Sequence, residues 1–315
     1  YPLRRQRQMC IRDRYYTLLV FVGLTLLAAC DKEETLEPSG ANDNFFRVSD
    51  DRQDAEAVLC RDFLEKNGIY LLCNDTLRKE YLGKDAYGDD RWQVELVDFD
   101  YNLTSLGDQK ATYDFLETME EKRKAAKLIE DEILPHIEGG ALAPYSILLL
   151  NSLEKYSSEE WEVAPAKTIN CMRCLGIAVG EWMALENEEE REAYKKEVLV
   201  DLISAKFNSS SEEADPFYEV SNEYYGEYLS EIVEDWDRNI EDVYALGFLS
   251  FTEDYWDDDP DYDYLPYDTG DFKAYFNAVM GRSEEDFVSQ YGNYPVVMNK
   301  YYIIRNIIIG LGYKF

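Results

Sequence analysis

An apolar run from Tyr15 to Ala29 ends at Cys30 and decides which part of the chain is available to fold. About fifteen residues are too few to span a bilayer comfortably, so the run is typical of a secretory signal peptide. The string LAAC at its end has the form of a lipobox, in which small residues precede a cysteine that becomes lipidated. We therefore predict processing at Cys30 and exclude residues 1–29 from the fold. The first fourteen of these residues resemble translated sequencing-adapter sequence.

The residues after Cys30 predict where the protein resides. Residues 31–34 (DKEE) resemble the signal that sends some bacterial lipoproteins to the outer face of the outer membrane. Residues 30–45 are mostly polar and contain Pro38 and Gly40, which is typical of a flexible tether. The sequence thus predicts a protein anchored in the outer membrane by lipid and exposed on the cell surface.

The charge balance of the chain excludes several kinds of function. There are 65 acidic and 32 basic side chains, for a net charge of −33. Such a field repels a phosphate backbone, so nucleic-acid binding is excluded, and the body is expected to stand off an anionic membrane. The chain has one histidine, which rules out ordinary histidine-based zinc sites and most Ser-His or Cys-His nucleophiles.

Hydrophobic periodicity and capping residues predict an α+β fold in one domain over residues 46–315. Strands are expected to precede helices rather than alternate strictly with them. Strands are predicted at 69–73, 93–99 and 146–150, with one or two more in 167–180. Helices are predicted at 50–66, 111–134, 187–207 and 270–281, from Ser283 onward, and from Pro295 to Gly310.

Four cysteines lie beyond the leader, and none of them forms a recognisable zinc pattern. Cys171 and Cys174 form a single C-x-x-C in a strand-like run, where residues three apart point to opposite faces. We interpret them as buried structural thiols. A disulfide between Cys60 and Cys73 is compatible with an extracytoplasmic protein, but the sequence alone leaves their pairing open.

Two further features carry weak chemical signals. His136 follows a helix-ending proline without a nucleophile motif nearby, so a surface position is expected. The alternating acids Asp257, Asp259, Asp261 and Asp263 begin like a calcium loop, but Tyr262 stands where the loop needs glycine. This acidic and aromatic segment is either an irregular loop that contacts calcium or sugar, or a solvated loop packed on the core.

Four short segments resemble, in order and approximate spacing, a family of bacterial lipoproteins. They are residues 195–200 (KKEVLV), 217–225 (FYEVSNEYY), 245–250 (ALGFLS) and 270–272 (GDF). This pattern is similar to that of the substrate import-associated zinc metallohydrolase lipoproteins, zincin-like metallopeptidases found beside TonB-dependent importers. The resemblance implies a zincin-like domain with a small sheet and several long helices. It also implies a zinc ion, an importer partner and that importer's substrate-binding lipoprotein.

The departures from the family pattern fall on the chemistry. The family helix reads H-H-E-x-x-H, in which two imidazoles on one helix face hold zinc and the glutamate activates a bound water. Here Lys196 and Val200 occupy the two ligand positions, while Glu197 keeps the general-base position. Gly270 replaces a family glutamate, although Asp271 follows it. An ammonium has no lone pair and valine has no donor atom, so we predict a degenerate member without zinc or another cofactor.

Three functions remain open from the sequence. The first is a binding or accessory role in nutrient uptake, without hydrolysis. The second is a hydrolase that uses carboxylates of the ancestral cleft, Glu197 with Glu219 or Glu223 and Asp271. The third is an interaction lipoprotein whose acidic and aromatic loop holds a protein partner.

Overall fold

The computed structural model describes residues 44–99, 111–157, 162–207, 209–233, 239–252 and 263–315. Those from Phe45 to Phe315 belong to one compact unit. The predicted signal peptide, Cys30 and the tether lie outside the described residues. Helices and a mixed sheet occur together in this unit, which confirms the α+β class. Within the described ranges, no helix is both long enough and apolar enough to span a membrane.

The helices and strands are numbered in chain order. The helices are α1 (Ala55–Asn67), α2 (Met119–Glu132), α3 (Gly180–Ala184), α4 (Glu188–Ser204), α5 (Asp215–Glu219), α6 (Leu229–Ile232), α7 (Ile240–Ala245), α8 (Asp268–Gly281), α9 (Glu284–Tyr291) and α10 (Pro295–Gly310). The strands are β1 (Tyr70–Leu72), β2 (Thr76–Lys84), β3 (Asp90–Leu96), β4 (Ala111–Phe115), β5 (Ser146–Ser157), β6 (Glu162–Pro165), β7 (Thr168–Asn170) and β8 (Leu175–Ala178).

Strand β5 organises the main sheet. It pairs in parallel with β1 and β8 and antiparallel with β4 and β6, while β7 pairs antiparallel with β8. Strands β2 and β3 form a separate antiparallel hairpin. The sheet is therefore mixed, and its long central strand is contacted by neighbours along both edges.

The apolar run of β5 is buried on both faces of the sheet. Ile147 and Leu149 belong to the larger hydrophobic cluster, which the helices build, whereas Leu148 and Leu150 belong to a smaller one with Phe46. Because successive side chains of a strand point to opposite faces, a strand covered on both sides is apolar without alternation. This explains why the sequence SILLL reads as a continuous apolar run.

Several predicted helix ends are confirmed by their capping contacts. Gly68 ends α1 with a φ of +70°, whereas that helix begins at Ala55 rather than at residue 50, because the Asp54 carboxylate accepts the Ala57 backbone N–H at 3.0 Å. The Ser283 hydroxyl accepts the Asp286 N–H at 3.1 Å at the start of α9, and Pro295 begins α10. These local signals act within one helical turn, so the sequence alone reveals them.

The helix predicted over residues 111–134 is wrong in its first part. Residues Ala111–Phe115 form β4, and α2 begins only after Thr118. Thr118 and Glu121 form a capping box, in which each side chain accepts the other residue's backbone N–H. Pairing with β5 satisfies the β4 backbone, and the capping box marks where a helix can begin. The strand predicted at 93–99 likewise forms earlier, at Asp90–Leu96, and its partner β2 was not predicted.

The four described cysteines are all free thiols. Cys171 and Cys174 lie in the turn between β7 and β8, where the Cys171 N–H donates to the Cys174 carbonyl at 2.9 Å. They are therefore in a turn. The strand predicted for them from the sequence is wrong. Burial raises the pKa of Cys174 to about 12, which suits a structural thiol. Cys60 and Cys73 are buried in the larger cluster, and their side chains hydrogen-bond each other.

Candidate functional site

Helix α4 carries Lys196, Glu197 and Val200, the residues that the resemblance aligns with a zinc-binding helix. Its N-cap is Asn187, whose side chain accepts the Glu189 N–H at 2.9 Å, and three glutamates in its first turn favour the helix dipole. The helix lies beside the edge strand β7, since the Thr168 hydroxyl donates to the Asp201 carboxylate at 3.1 Å. Lys196, Glu197 and Val200 are thus carried by one helix next to a strand edge.

The carboxylate in the general-base position is held in an ion pair at the surface. Glu197 pairs with Lys167, which precedes β7, and 61% of its side chain remains exposed. The Lys167 ammonium also lies 4.6 Å from the centre of the Tyr194 ring. Glu197 therefore faces a lysine rather than a metal ligand.

Lys196 and Val200, which the resemblance places at the ligand positions, have other roles in the structure. The Lys196 ammonium donates to the Gly281 carbonyl at 2.7 Å, at the C-terminal end of α8. Terminal carbonyls of a helix lack intrahelical donors and carry partial negative charge, so this lysine stabilises the end of α8. Val200 is half-buried and packs against the larger hydrophobic cluster. Neither side chain offers a metal a donor atom.

Asp271 lies far along the structure from Glu197. Helices α4 and α8 run side by side in opposite directions, because Lys196 contacts Gly281 while the Phe207 and Phe272 rings are 4.9 Å apart. Ten residues separate Asp271 from Gly281, which corresponds to about 15 Å of helix. Zinc ligands must lie about 2 Å from one ion, so these residues do not fit a shared zinc site.

The remaining predicted acids do not complete the site. Glu219 ends α5 and Glu223 follows it, and both are exposed. Among the described residues, no hydrogen bond or ion pair joins either of them to Glu197. No group of three potential metal ligands occurs in this part of the chain. Asp257, Asp259 and Asp261 lie outside the described residues, whereas the Asp263 carbonyl accepts the Leu229 N–H at 2.8 Å.

Asp271 belongs instead to a buried centre around Lys300, which projects from α10. The two side chains form an ion pair with 0% and 1% of their surface exposed. The Lys300 ammonium lies 3.3 Å from the Ser221 hydroxyl oxygen, and the Tyr225 hydroxyl donates to Asp271 Oδ2 at 3.1 Å. Aromatic rings enclose the ammonium, with ring centres at 4.5 Å for Phe217, 4.7 Å for Phe248 and 5.2 Å for Tyr275. We call these seven residues the lysine cage.

The electrostatics of the lysine cage follow from its burial. Burial raises the pKa of Asp271 to about 6, although Lys300 and Tyr225 both stabilise the charged carboxylate. Burial also lowers the pKa of Lys300, and the charge of Asp271 opposes that shift. Asp271 Oδ1 is buried without a hydrogen-bond partner among the described residues. The pair is thus compensated in charge but not fully satisfied in hydrogen bonding.

Three of the four segments in the family resemblance meet at this cage. Residues 217–225 supply Phe217, Ser221 and Tyr225, residues 245–250 supply Phe248, and residues 270–272 supply Asp271. Gly247 has a φ of +90°, and a Cβ there would lie 2.9 Å from the Ser221 hydroxyl oxygen. In this chain, three of the segments that carry the resemblance therefore pack together around Lys300.

A separate surface cleft of about 440 Å³ opens beside α4. Its lining residues are His136, Glu192, Ala193, Lys195, Lys196, Leu199, Met280 and Tyr313. His136 Nδ1 lies 3.0 Å from the Lys314 carbonyl oxygen, and the imidazole stacks on the Tyr313 ring at 5.7 Å. A carbonyl only accepts, so Nδ1 carries the proton in this contact and Nε2 keeps its lone pair.

The lysines of the cleft differ in how their charges are balanced. Lys195 pairs with Glu192 at 2.6 Å and with Glu132 at 3.3 Å. Among the described residues, no carboxylate lies within ion-pair distance of Lys196, which contacts only a carbonyl oxygen. The cleft therefore presents one uncompensated cation beside apolar and imidazole surface.

Comparison of the chain with models of known protein families, with curated proteins and with solved structures finds no match.

Sequence reasoning missed Lys300, although a signal was present. Lys300 stands on the apolar face of α10, with Val297, Ile304 and Ile308 on the same buried side. A charged residue on the buried face of a helix needs a partner, so its position predicts a buried acid elsewhere. Only the tertiary structure identifies that acid as Asp271.

Proposed function

We propose that this chain is a surface-exposed, lipid-anchored protein that binds its ligand without hydrolysing it, as an accessory component of nutrient import. One observation carries the proposal: the α4 residues at the ligand and general-base positions of the resemblance make structural contacts instead. Lys196 binds the end of α8, Glu197 pairs with Lys167, and Val200 packs in the core. The importer and its substrate-binding lipoprotein remain partners implied by the resemblance.

Ligand chemistry explains why these positions do not support a zincin mechanism. A catalytic zinc needs three protein ligands with an open position for water, and the glutamate acts on that water. Restoring an imidazole on α4 would still leave Asp271 in its buried ion pair with Lys300, so that carboxylate does not complete a metal site. We therefore derive no hydrolytic step from this arrangement.

The cleft beside α4 supports a binding role and suggests the kind of ligand. Among the described residues no carboxylate pairs with Lys196, in a chain whose net charge is −33. Leu199, Met280 and Tyr313 give the cleft apolar surface, and His136 Nε2 can accept a hydrogen bond. A small ligand with one anionic group and an apolar body would match both features.

Metal analysis and peptidase assays test the proposal together. Protein purified without a metal-affinity tag should contain far less than one equivalent of zinc and show no chelator-sensitive peptide hydrolysis. Glu197→Gln should change neither result, and Glu189→Gln, on the exposed first turn of the same helix, is the matched control. One tightly held zinc per chain that is lost on mutating Glu197 would overturn the proposal.

The same assay separates the carboxylate hydrolase from the binding protein. Glu197 is exposed enough to reach a substrate, which is the observation that favours this second candidate. Hydrolysis of peptides or glycans that resists chelation, disappears in Glu197→Gln and survives in Glu189→Gln would establish it.

A further inference from the structure

The β2–β3 hairpin has one polar face and one apolar face, and the apolar face is uncovered. Pairing of Lys79 with Val94 and of Tyr81 with Trp92 places these side chains on one side, and strand alternation adds Leu96. We call these five residues the aromatic face. The opposite side carries Arg78, Glu80, Gln93 and Glu95.

The aromatic face is exposed although its composition is that of a core. Tyr81, Trp92 and Val94 are each 50% exposed and Leu96 is 49% exposed. The Tyr81 and Trp92 rings pack 5.1 Å apart, and the Lys79 ammonium lies 5.2 Å from the Trp92 ring centre. Together they present apolar surface on the order of 400 Å², a size that marks an interaction site on a soluble domain.

The base of the hairpin lies beside the residues that lead back to the predicted anchor. The Arg78 guanidinium lies 4.7 Å from the Phe45 ring centre, and Leu77 packs against the cluster that contains Phe46. Phe45 is 15 positions after Cys30, and a chain extends at most about 3.5 Å per residue. The hairpin base therefore lies within about 50 Å of lipid attached at Cys30.

Charge also distinguishes the hairpin from the rest of the chain. Residues 76–96 carry four basic and five acidic side chains, whereas the whole chain carries 32 basic and 65 acidic ones. The nearly neutral hairpin can approach a membrane surface at little electrostatic cost, while the acidic body is repelled by anionic headgroups. These opposing tendencies favour one orientation, with the hairpin toward the membrane.

We propose that the aromatic face of the hairpin rests on the bilayer in which the protein is anchored. Tyr81 and Trp92 lie at headgroup depth, where amphipathic rings partition, and the Lys79 ammonium reaches the lipid phosphates. Val94 and Leu96 extend the contact toward the base of the hairpin. This inference rests on the lipid anchor of the proposed function and adds an orientation to it.

Fluorescence quenching in reconstituted vesicles tests the contact. The full chain is produced in a bacterium that processes lipoproteins and is reconstituted into phosphatidylcholine vesicles whose acyl chains are brominated near the headgroup. Bromine quenches an indole only at short range. The wild-type protein should show a quenched emission component that Trp92→Phe lacks.

Moving the indole across the hairpin supplies the matched control. Gln93→Trp in the Trp92→Phe background places the same ring on the polar face, and its emission should escape quenching. Equal quenching of both indoles, or an unquenched Trp92, would overturn the proposal. An unquenched Trp92 in a dimer or in a complex with a protein would assign the face to that partner instead.

The anchor is checked independently. Mass spectrometry of the purified protein measures whether Cys30 carries acyl chains. Their absence would contradict the proposed lipid anchor. The unlipidated Cys30→Ala chain added to the same vesicles still tests the hairpin. Its binding should weaken about tenfold on Trp92→Ser, because burial of part of an indole contributes roughly that factor. An unchanged affinity would contradict the hairpin contact while leaving the anchor intact.

Discussion

The lysine–carboxylate pairs Lys300–Asp271 and Lys167–Glu197 share their chemistry but differ in their surroundings. The first is enclosed by aromatic rings with its side chains 0% and 1% exposed, and the second lies at the edge of the sheet with 26% and 61% exposed. Water screens the second pair and none reaches the first. The same two groups are therefore a structural element in one place and a replaceable contact in the other.

This difference predicts how well the protein tolerates the loss of Glu197 and of Asp271. Glu197 lies in water beside Lys167, so its loss leaves nothing uncompensated in the interior. Asp271 lies in the lysine cage, where its loss would leave a buried ammonium without a counter-charge. A surface ion pair can be lost without leaving a buried charge, whereas the lysine cage is constrained by desolvation.

The largest expected effect comes from removing the buried cation. Lys300→Met should lower the free energy of unfolding by about 3–5 kcal/mol, because Asp271 loses its counter-charge and must either stay ionised in an apolar interior or take up a proton. The measurement is urea denaturation, with Lys167→Met as the matched change at the surface pair. The surface variant should lose less than about 1 kcal/mol.

A double substitution sharpens the same comparison. Lys300→Met with Asp271→Leu removes both charges and should recover much of the stability lost in Lys300→Met, since a buried ion pair often gains little over apolar packing. A double variant as unstable as Lys300→Met would show that the cage needs its polar contacts and not only charge balance.

The next largest effect is expected in the pH dependence of the free energy of unfolding, through the raised pKa of Asp271. Its pKa is about 6 in the folded protein, against 3.8 for a free carboxyl, so the folded state binds the proton more tightly. Its contribution is then fully present below about pH 4 and is lost as the pH rises through about 6. Roughly 3 kcal/mol should disappear across this window.

Asp271→Asn isolates this effect from the other carboxyl groups. The stability of the wild type relative to this variant should fall between about pH 4 and 6, because asparagine binds no proton there. A difference that rises over the same range would mean that Lys300 lowers the Asp271 pKa below its usual value and that burial is the weaker influence.

Gly247, which lies beside the lysine cage, should tolerate substitution less well than Gly270, which lies outside it. Gly247→Ala should cost roughly 2 kcal/mol, because the φ is +90° and the new Cβ would lie 2.6 Å from a Val296 methyl group. Gly270→Ala is the control in the first turn of α8, where the nearest atom would be Pro266 Cβ at 3.8 Å. It should raise stability by up to about 1 kcal/mol, and an equal loss in both variants would contradict the close packing at Gly247.

The smallest effect is expected at the surface carboxylate. Glu197→Gln should change the free energy of unfolding by less than about 0.5 kcal/mol, because exposed ion pairs contribute little. Thermal and urea denaturation at low and moderate salt measure it. A loss above about 1 kcal/mol would remove the contrast between the two pairs.

Much of the local structure could be predicted from the sequence. The end of α1 follows from Gly68, and the starts of α9 and α10 follow from Ser283 and Pro295, which act within a turn of their own helix. The buried strand β5 follows from its apolar run. Strand β4 could not be separated from α2 in this way, because it is stabilised by pairing with β5, whose partner residues lie 35 to 44 positions later in the sequence.

The candidate site also has features that the sequence predicts and features that depend on tertiary packing. The sequence shows that α4 lacks zinc ligands, because that depends only on which residues stand at i and i+4 of a helix. It does not show that Asp271 is bound to Lys300, or that Lys196 contacts the end of α8. Those contacts depend on how α4, α8 and α10 pack.

The amino-acid sequence by itself determined the α+β class, several ends of the long helices and the absence of imidazole from α4, since each is set by residue type and short-range spacing. Tertiary structure decided which acid is buried, which is exposed, and that the hairpin leaves its apolar side open. The physical reason is that desolvation depends on what surrounds a side chain. The Tyr225 hydroxyl that contacts Asp271 comes from 46 positions away in the chain, and no local pattern encodes that contact.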